Sequence, residues 1–187
     1  KPQEIKEHRD VAQAILVMTY RTNQTYKSDN YYGLMVANGI FGVFPHSKLF
    51  VNVREKASLA YYVGSSLEGS KGILTVTGGI DQGSYDQAVK IIGEQLSAVQ
   101  AGDFSDEELN QTKIGLISGI RSMEDSPTAV IDRNVIGIVH NDLRTFNDVI
   151  DSIEQVTKEQ IQSAAKSIEL DTVYFLAGSR GDNNGSN

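Results

Sequence analysis

Residues 59–67 and 73–80 are both rich in β-branched and aromatic side chains, and Glu68-Gly69-Ser70-Lys71-Gly72 between them has the composition of a hairpin connection. Strands joined so closely run antiparallel, because a parallel pair needs a crossover of a dozen or more residues. The chain is therefore committed to a sheet with antiparallel pairing.

The remaining pattern places helices and strands in separate blocks. In residues 11–21 apolar and polar positions partly alternate, with Ala12, Ala14, Leu16 and Met18 on one face, which reads as a strand. Residues 23–30 are polar, and Ser28 or Asp29 can cap a helix running to about Phe41, whose end Gly39 and Gly42 weaken. Ser47 caps a short second helix that ends near Lys56 and carries Leu49, Phe50 and Val53 as its apolar stripe.

After the hairpin, Ala88, Ile91, Ile92, Leu96 and Val99 share one face of a helix over residues 85–101, with Gly102 placed for a left-handed C-terminal cap. Ser105 with Glu108 forms a capping box for a helix to about Met123. Pro127 opens a helix to about His140, and a short extra turn fits near residues 147–152. Thr157 with Gln160 caps a helix to about Ser167, and residues 172–177 close the chain as an apolar strand. This segregation of elements predicts an α+β fold, with a mostly antiparallel sheet packed on a layer of helices.

The 187 residues suffice for one domain burying roughly two-thirds of its unfolded surface. Residues 1–10 read as a charged linker from a preceding domain, residues 11–178 as the domain itself, and residues 179–187 as a disordered tail. The first residue is Lys, and the sequence reads as part of a longer chain. No apolar run approaches the roughly 18 residues of a membrane helix. Seventeen basic against 24 acidic side chains leave a net charge of −7 with no local basic patch, which opposes nucleic-acid binding. With no signal-peptide pattern, the cytoplasm is the default compartment.

The absence of cysteine excludes disulfides, thiolate metal sites and cysteine nucleophiles together. His8, His46 and His140 are the only histidines, and no two stand at metal-ligand spacing. Glu4-Ile5-Lys6-Glu7-His8 has Glu where the first histidine of H-x-x-E-H would be, so no metal site is expected in this chain. Phosphate-binding glycine loops and the G-x-S-x-G nucleophile elbow are absent. Asp106, Glu107 and Glu108 sit where a helix start favours negative charge.

Residues 47–62 offer more. Arg54 falls in the last turn of the short helix and Tyr61 seven residues later on the next strand, so a tight connection brings two strong hydrogen-bond donors within reach of one carbonyl or oxyanion. An Arg complementing a helix C-terminus and a Tyr on a half-buried strand would give the same pattern with no chemistry. Tyr62 points to the opposite strand face and is left out of the pair.

The stretch Phe41-Gly42, Ser47-Lys48-Leu49-Phe50, Arg54-Glu55-Lys56 and Leu59-Ala60-Tyr61 resembles the C-terminal half of the insulinase/pitrilysin-type zinc metallopeptidases, and is most similar to bacterial members of the processing-protease kind. Gly79-Ile80, Ala101-Gly102-Asp103-Phe104-Ser105, Asp125-Ser126-Pro127 and Val156-Thr157 follow in family order, extending the likeness over about residues 11–178. The resemblance implies one of two homologous α+β halves enclosing a chamber for unfolded peptides. It assigns Arg54 and Tyr61 to the pair that meets the substrate carbonyl, and zinc to the N-terminal half or to a separate partner subunit. The inverted zinc motif is nowhere in these residues, so the chain is not expected to cleave peptides alone. Two roles follow from the resemblance: the substrate-positioning half of a zinc endopeptidase, or a catalytically inactive peptide-binding or assembly subunit.

Overall fold

The computed structural model describes residues 2–178. Five strands form one sheet: β1 (Gln3–Arg9), β2 (Ala14–Arg21), β3 (Ala60–Glu68), β4 (Ile73–Ile80) and β5 (Glu169–Gly178), in the spatial order β1-β5-β2-β4-β3. Three of the four pairings are antiparallel, and only β1 with β5 is parallel. The α+β expectation with a mostly antiparallel sheet is met.

Burial follows the two-residue period of a strand. Ala14, Leu16, Met18 and Tyr20 of β2, Leu74, Val76 and Ile80 of β4, and Val173, Phe175 and Ala177 of β5 are all buried and belong to one core. They lie on one face of the sheet. The alternate residues Ile15, Val17, Thr75, Thr77, Tyr174 and Leu176 are only half-buried. Each fully buried Leu, Ile or Phe contributes about 1.5–3 kcal/mol relative to exposure, so this alternation fixes the strand register.

The covered face shares its core with buried side chains of α1 (Tyr31–Asn38), α2 (Tyr85–Ala101), α5 (Phe146–Gln155) and α6 (Lys158–Lys166), while α3 (Asp106–Glu124) packs half-buried side chains against it and α4 (Pro127–His140) lies outside against α3. Helix α2 buries Ala88, Ile92, Leu96 and Val99, and Gly102 ends it in the left-handed conformation at φ 76°. The capping boxes at Ser105 and Thr157 are both formed, and a third, Thr145 with Asp148, opens α5 where the sequence suggested only a short turn.

Two features depart from the sequence reading. The segment read as a charged linker, residues 1–10, is an edge strand over most of its length, paired from Gln3 with Thr172 to Arg9 with Gly178. Its charged side chains find partners: the Tyr85 hydroxyl donates to Glu4 at 2.7 Å, the Tyr174 hydroxyl donates to Glu7 at 3.1 Å, and Lys6 lies 4.0 Å from the Tyr85 ring centre. An edge strand tolerates such charge because one side of its ladder is open to water. The first helix is also shorter than expected. It begins after Asn30 and gives way to a π-helical turn at Gly39–Val43, and a second π-helical segment spans Phe50–Lys56. The tail at 179–187 lies outside the described residues.

Candidate functional site

Ser47 starts the segment that carries Arg54. Its hydroxyl accepts the Phe50 N–H at 3.4 Å and its carbonyl accepts the Val51 N–H at 3.0 Å, which is the cap the sequence suggested. The turns then widen to π-helical spacing, with the Ala57 N–H reaching back to the Asn52 carbonyl. Val53, fully buried, is the anchor of this segment, while Arg54 is exposed. Its guanidinium carbon stands 4.7 Å from the Phe50 ring centre, a cation–π contact that orients the head without neutralising it.

Between Arg54 and Tyr61 the chain turns at Ser58, which has φ +52°, and the Leu59 N–H closes on the Val53 carbonyl at 3.0 Å. A left-handed serine costs local free energy, as do wide π turns, and both concentrate at functional sites. Strand β3 then opens with a bulge: Ala60 pairs with Ile80 and Tyr62 with Gly79, so Tyr61 is the unpaired extra residue. A bulge re-aims a side chain. Tyr61 is 61% exposed, and its hydroxyl donates to Asp81 Oδ1 at 2.9 Å. That hydrogen bond and the carboxylate charge hold the phenol above the usual tyrosine range.

Asp81 follows the last residue of β4 and begins a single 3₁₀ turn, Gln82–Ser84, its carbonyl accepting the Ser84 N–H at 2.9 Å. Tyr61 and Asp81 together face a cleft of about 590 Å³ at this end of the sheet, otherwise lined by residues 11–14, Ile80, Gln82 and Gly178. Tyr62 goes elsewhere. Its ring lies against Gly79, where an added Cβ would stand 2.5 Å from the ring, so glycine is what leaves room for the aromatic.

The two residues singled out from sequence are thus both accessible, on the two sides of one strained connection, but no hydrogen bond or ring contact joins them. Arg54 rests on Phe50, and Tyr61 on Asp81. Arg54 does not line the cleft. Sequence reasoning missed Asp81. Its signal was the hairpin register, which sets the end of β4 beside the start of β3.

The histidines occupy three separate places: His8 on β1, His46 bonded to Thr112 at 2.9 Å, and His140 bonded to Ser70 at 2.9 Å. Among the described residues no three His, Cys, Asp or Glu side chains gather as a metal site would require. Glu7, in the segment that approaches a zinc motif, bonds Tyr174 and lies 3.6 Å from Arg9.

The family described as Peptidase M16 inactive domain matches residues 1–116. The "Probable inactive metalloprotease YmfF" of Bacillus subtilis (strain 168) is 42% identical over 181 residues, 97% of this chain and 42% of that protein. The "Uncharacterized zinc protease YmxG" of the same organism is 28% identical over 150 residues, 78% of this chain and 36% of that protein. Among solved structures, a conserved protein from Enterococcus faecalis V583 superposes with a TM-score of 0.93 at 35% identity, covering 98% of this chain and 43% of the other. The chain therefore spans less than half the length of these relatives. With its sheet order, its helical layer and its 42% identity to a metalloprotease-like relative all in agreement, the chain belongs to the insulinase-type M16 peptidase family as the inactive domain.

Proposed function

We propose that this chain is the substrate-positioning half of an M16-type peptidase assembly, holding an extended peptide while a homologous N-terminal half or a zinc-bearing partner subunit supplies the metal chemistry. The observation that carries this reading is the strained connection itself. A π-helical segment, a left-handed serine and a strand bulge present two exposed donors, Arg54 and Tyr61, neither of which is needed to fill the core. Such donors stabilise charge on a carbonyl oxygen, Arg with a fixed fork of N–H groups and Tyr with one directed O–H.

The test uses the full-length parent chain or the reconstituted pair. Arg54→Ala lowers the turnover of an unfolded peptide about 10²-fold, the usual loss for removing one oxyanion donor. An unchanged turnover contradicts the assignment.

A second reading, a catalytically inactive peptide-binding or assembly subunit, is supported by the name of the 42% identical relative, a probable inactive metalloprotease. The zinc content of the parent, purified without added metal, separates the two. About one zinc per chain, lost on chelation, supports an intact catalytic half, whereas no zinc leaves the binding role.

A further inference from the structure

In this structure the Tyr61 hydroxyl proton is already committed, because the phenol donates it to Asp81 Oδ1. A phenol has one proton to donate. While Asp81 accepts it, the proton is not presented to a peptide oxygen, and a cation seated on Asp81 competes with Tyr61 for that acceptor. Among the described residues that line the cleft, Asp81 is the only charged one. No ion pair joins Asp81 to a described lysine, arginine or histidine; its contacts are the Tyr61 hydroxyl and, through its carbonyl, the Ser84 N–H. Among the described residues that line it, the cleft thus carries a single negative charge with no ion-pair partner, placed on the acceptor of the Tyr61 hydroxyl, one of the two donors proposed to face the substrate.

We propose that Asp81 is a specificity-determining and positioning residue: it selects peptides carrying a positive charge, and seating that charge on its carboxylate releases the Tyr61 hydroxyl to face the peptide backbone. The inference rests on the reading of Tyr61 as a substrate-facing donor. A cationic donor adds to the Asp81 hydrogen bond a Coulombic attraction that the neutral phenol lacks, worth up to about five-fold in affinity at a solvent-exposed pair. No bond is made or broken covalently. The Tyr61 proton stays on the phenol throughout, consistent with the raised ionisation range of that group. An amino terminus and a lysine or arginine side chain share the required chemistry.

The experiment is calorimetric binding of three unstructured peptides of equal length to the 187-residue chain. One is neutral with both ends blocked, one is the same peptide with a single lysine, and one is neutral with a free amino terminus. At least one charged peptide binds about five-fold tighter than the neutral one, the upper range for a solvent-exposed charge pair. A gain confined to the lysine peptide identifies a side chain as the partner of Asp81, and a gain confined to the free amine identifies the terminus.

Asp81→Asn reduces the preference to below about two-fold, and Asp81→Glu, which retains the charge, restores it. The ionisation of Tyr61, isolated as the absorbance difference from Tyr61→Phe, shifts downward when the lysine peptide binds. Equal binding of all three peptides, or a preference that survives in Asp81→Asn, overturns the assignment while leaving Arg54 and Tyr61 as general peptide donors. Absence of binding by any of the three contradicts both readings.

Discussion

A side chain has no room at Gly42: a Cβ there would stand 2.5 Å from Ser65 Oγ and 2.7 Å from Leu49 Cδ1, inside the buried seam where the first π-helical turn meets β3. Ser65 cannot easily yield, because its hydroxyl donates to the buried Asn38 side chain at 2.6 Å. Gly42→Ala therefore overpacks the seam and costs about 1–3 kcal/mol. Calorimetry should show a melting temperature lower by about 3–10 °C, and an unchanged value would mean that the seam is loosely packed. At this scale the sequence was informative about residue types and weak about partners. Spacing raised Arg54 and Tyr61 as one of two readings and the family resemblance assigned them as a pair, but the bulge that frees Tyr61 from the ladder leaves no compositional trace. Counting back from the turn, where Glu68 pairs with Ile73, sets Tyr61 opposite Ile80; the bulge is what displaces it.

Among the elements, helix starts were the most legible, since a capping box is a local pattern of hydroxyl and acid or amide three residues apart. Glu108 shows how such a cap couples to tertiary structure, for it accepts the Ser105 N–H at 2.8 Å and pairs with Lys48 at 3.2 Å, joining α3 to the start of the Arg54 segment. Partial burial pushes the Glu108 carboxyl upward, but the Ser105 hydrogen bonds and the Lys48 charge outweigh it, leaving the group below its ordinary value of 4.5. A carboxylate depressed in the folded state contributes stability that is present above 4.5 and lost as pH falls through its lower folded value. Glu108→Gln should accordingly flatten the fall in stability below pH 4.5, read by denaturant unfolding across pH. Identical acid profiles for the two proteins would show that the pair does not couple to folding.

Helix α4 is the opposite case. Its start was legible in Pro127, and the structure adds Ser126 as the N-cap and Asn141 in the left-handed conformation at the other end, yet it buries only Gly137 and leaves Ile131, Ile138 and Val139 more than 60% exposed. With so little buried area its amides should exchange orders of magnitude faster than those of α2. Hydrogen exchange followed by mass spectrometry checks this, and equal protection in the two helices would contradict it. Strand β1 was missed for a related reason: of its seven residues only Ile5 is a large apolar one, and its partner β5 lies at the far end of the chain. Neither π-helical segment was foreseen, because apolar spacing barely distinguishes π from α turns.

At the scale of the whole molecule, the hairpin and the segregation of helices from strands were enough to give the α+β class, and the family order of short motifs gave the inactive M16 domain. The sheet brings the ends of β2, β4 and β5 together at the cleft, with the Arg54 segment beside β3. The account rests on this arrangement holding an extended peptide with two exposed donors. The most direct measurement is calorimetric binding of an unfolded peptide bearing a lysine to the 187-residue chain, compared with the Arg54→Ala, Tyr61→Phe double variant. We expect saturable binding by the wild type and a loss of about ten-fold or more in the double variant, since each lost hydrogen bond to a polar partner is worth about 0.5–1.5 kcal/mol. Equal affinity of the two proteins, or no binding by either, would contradict the account.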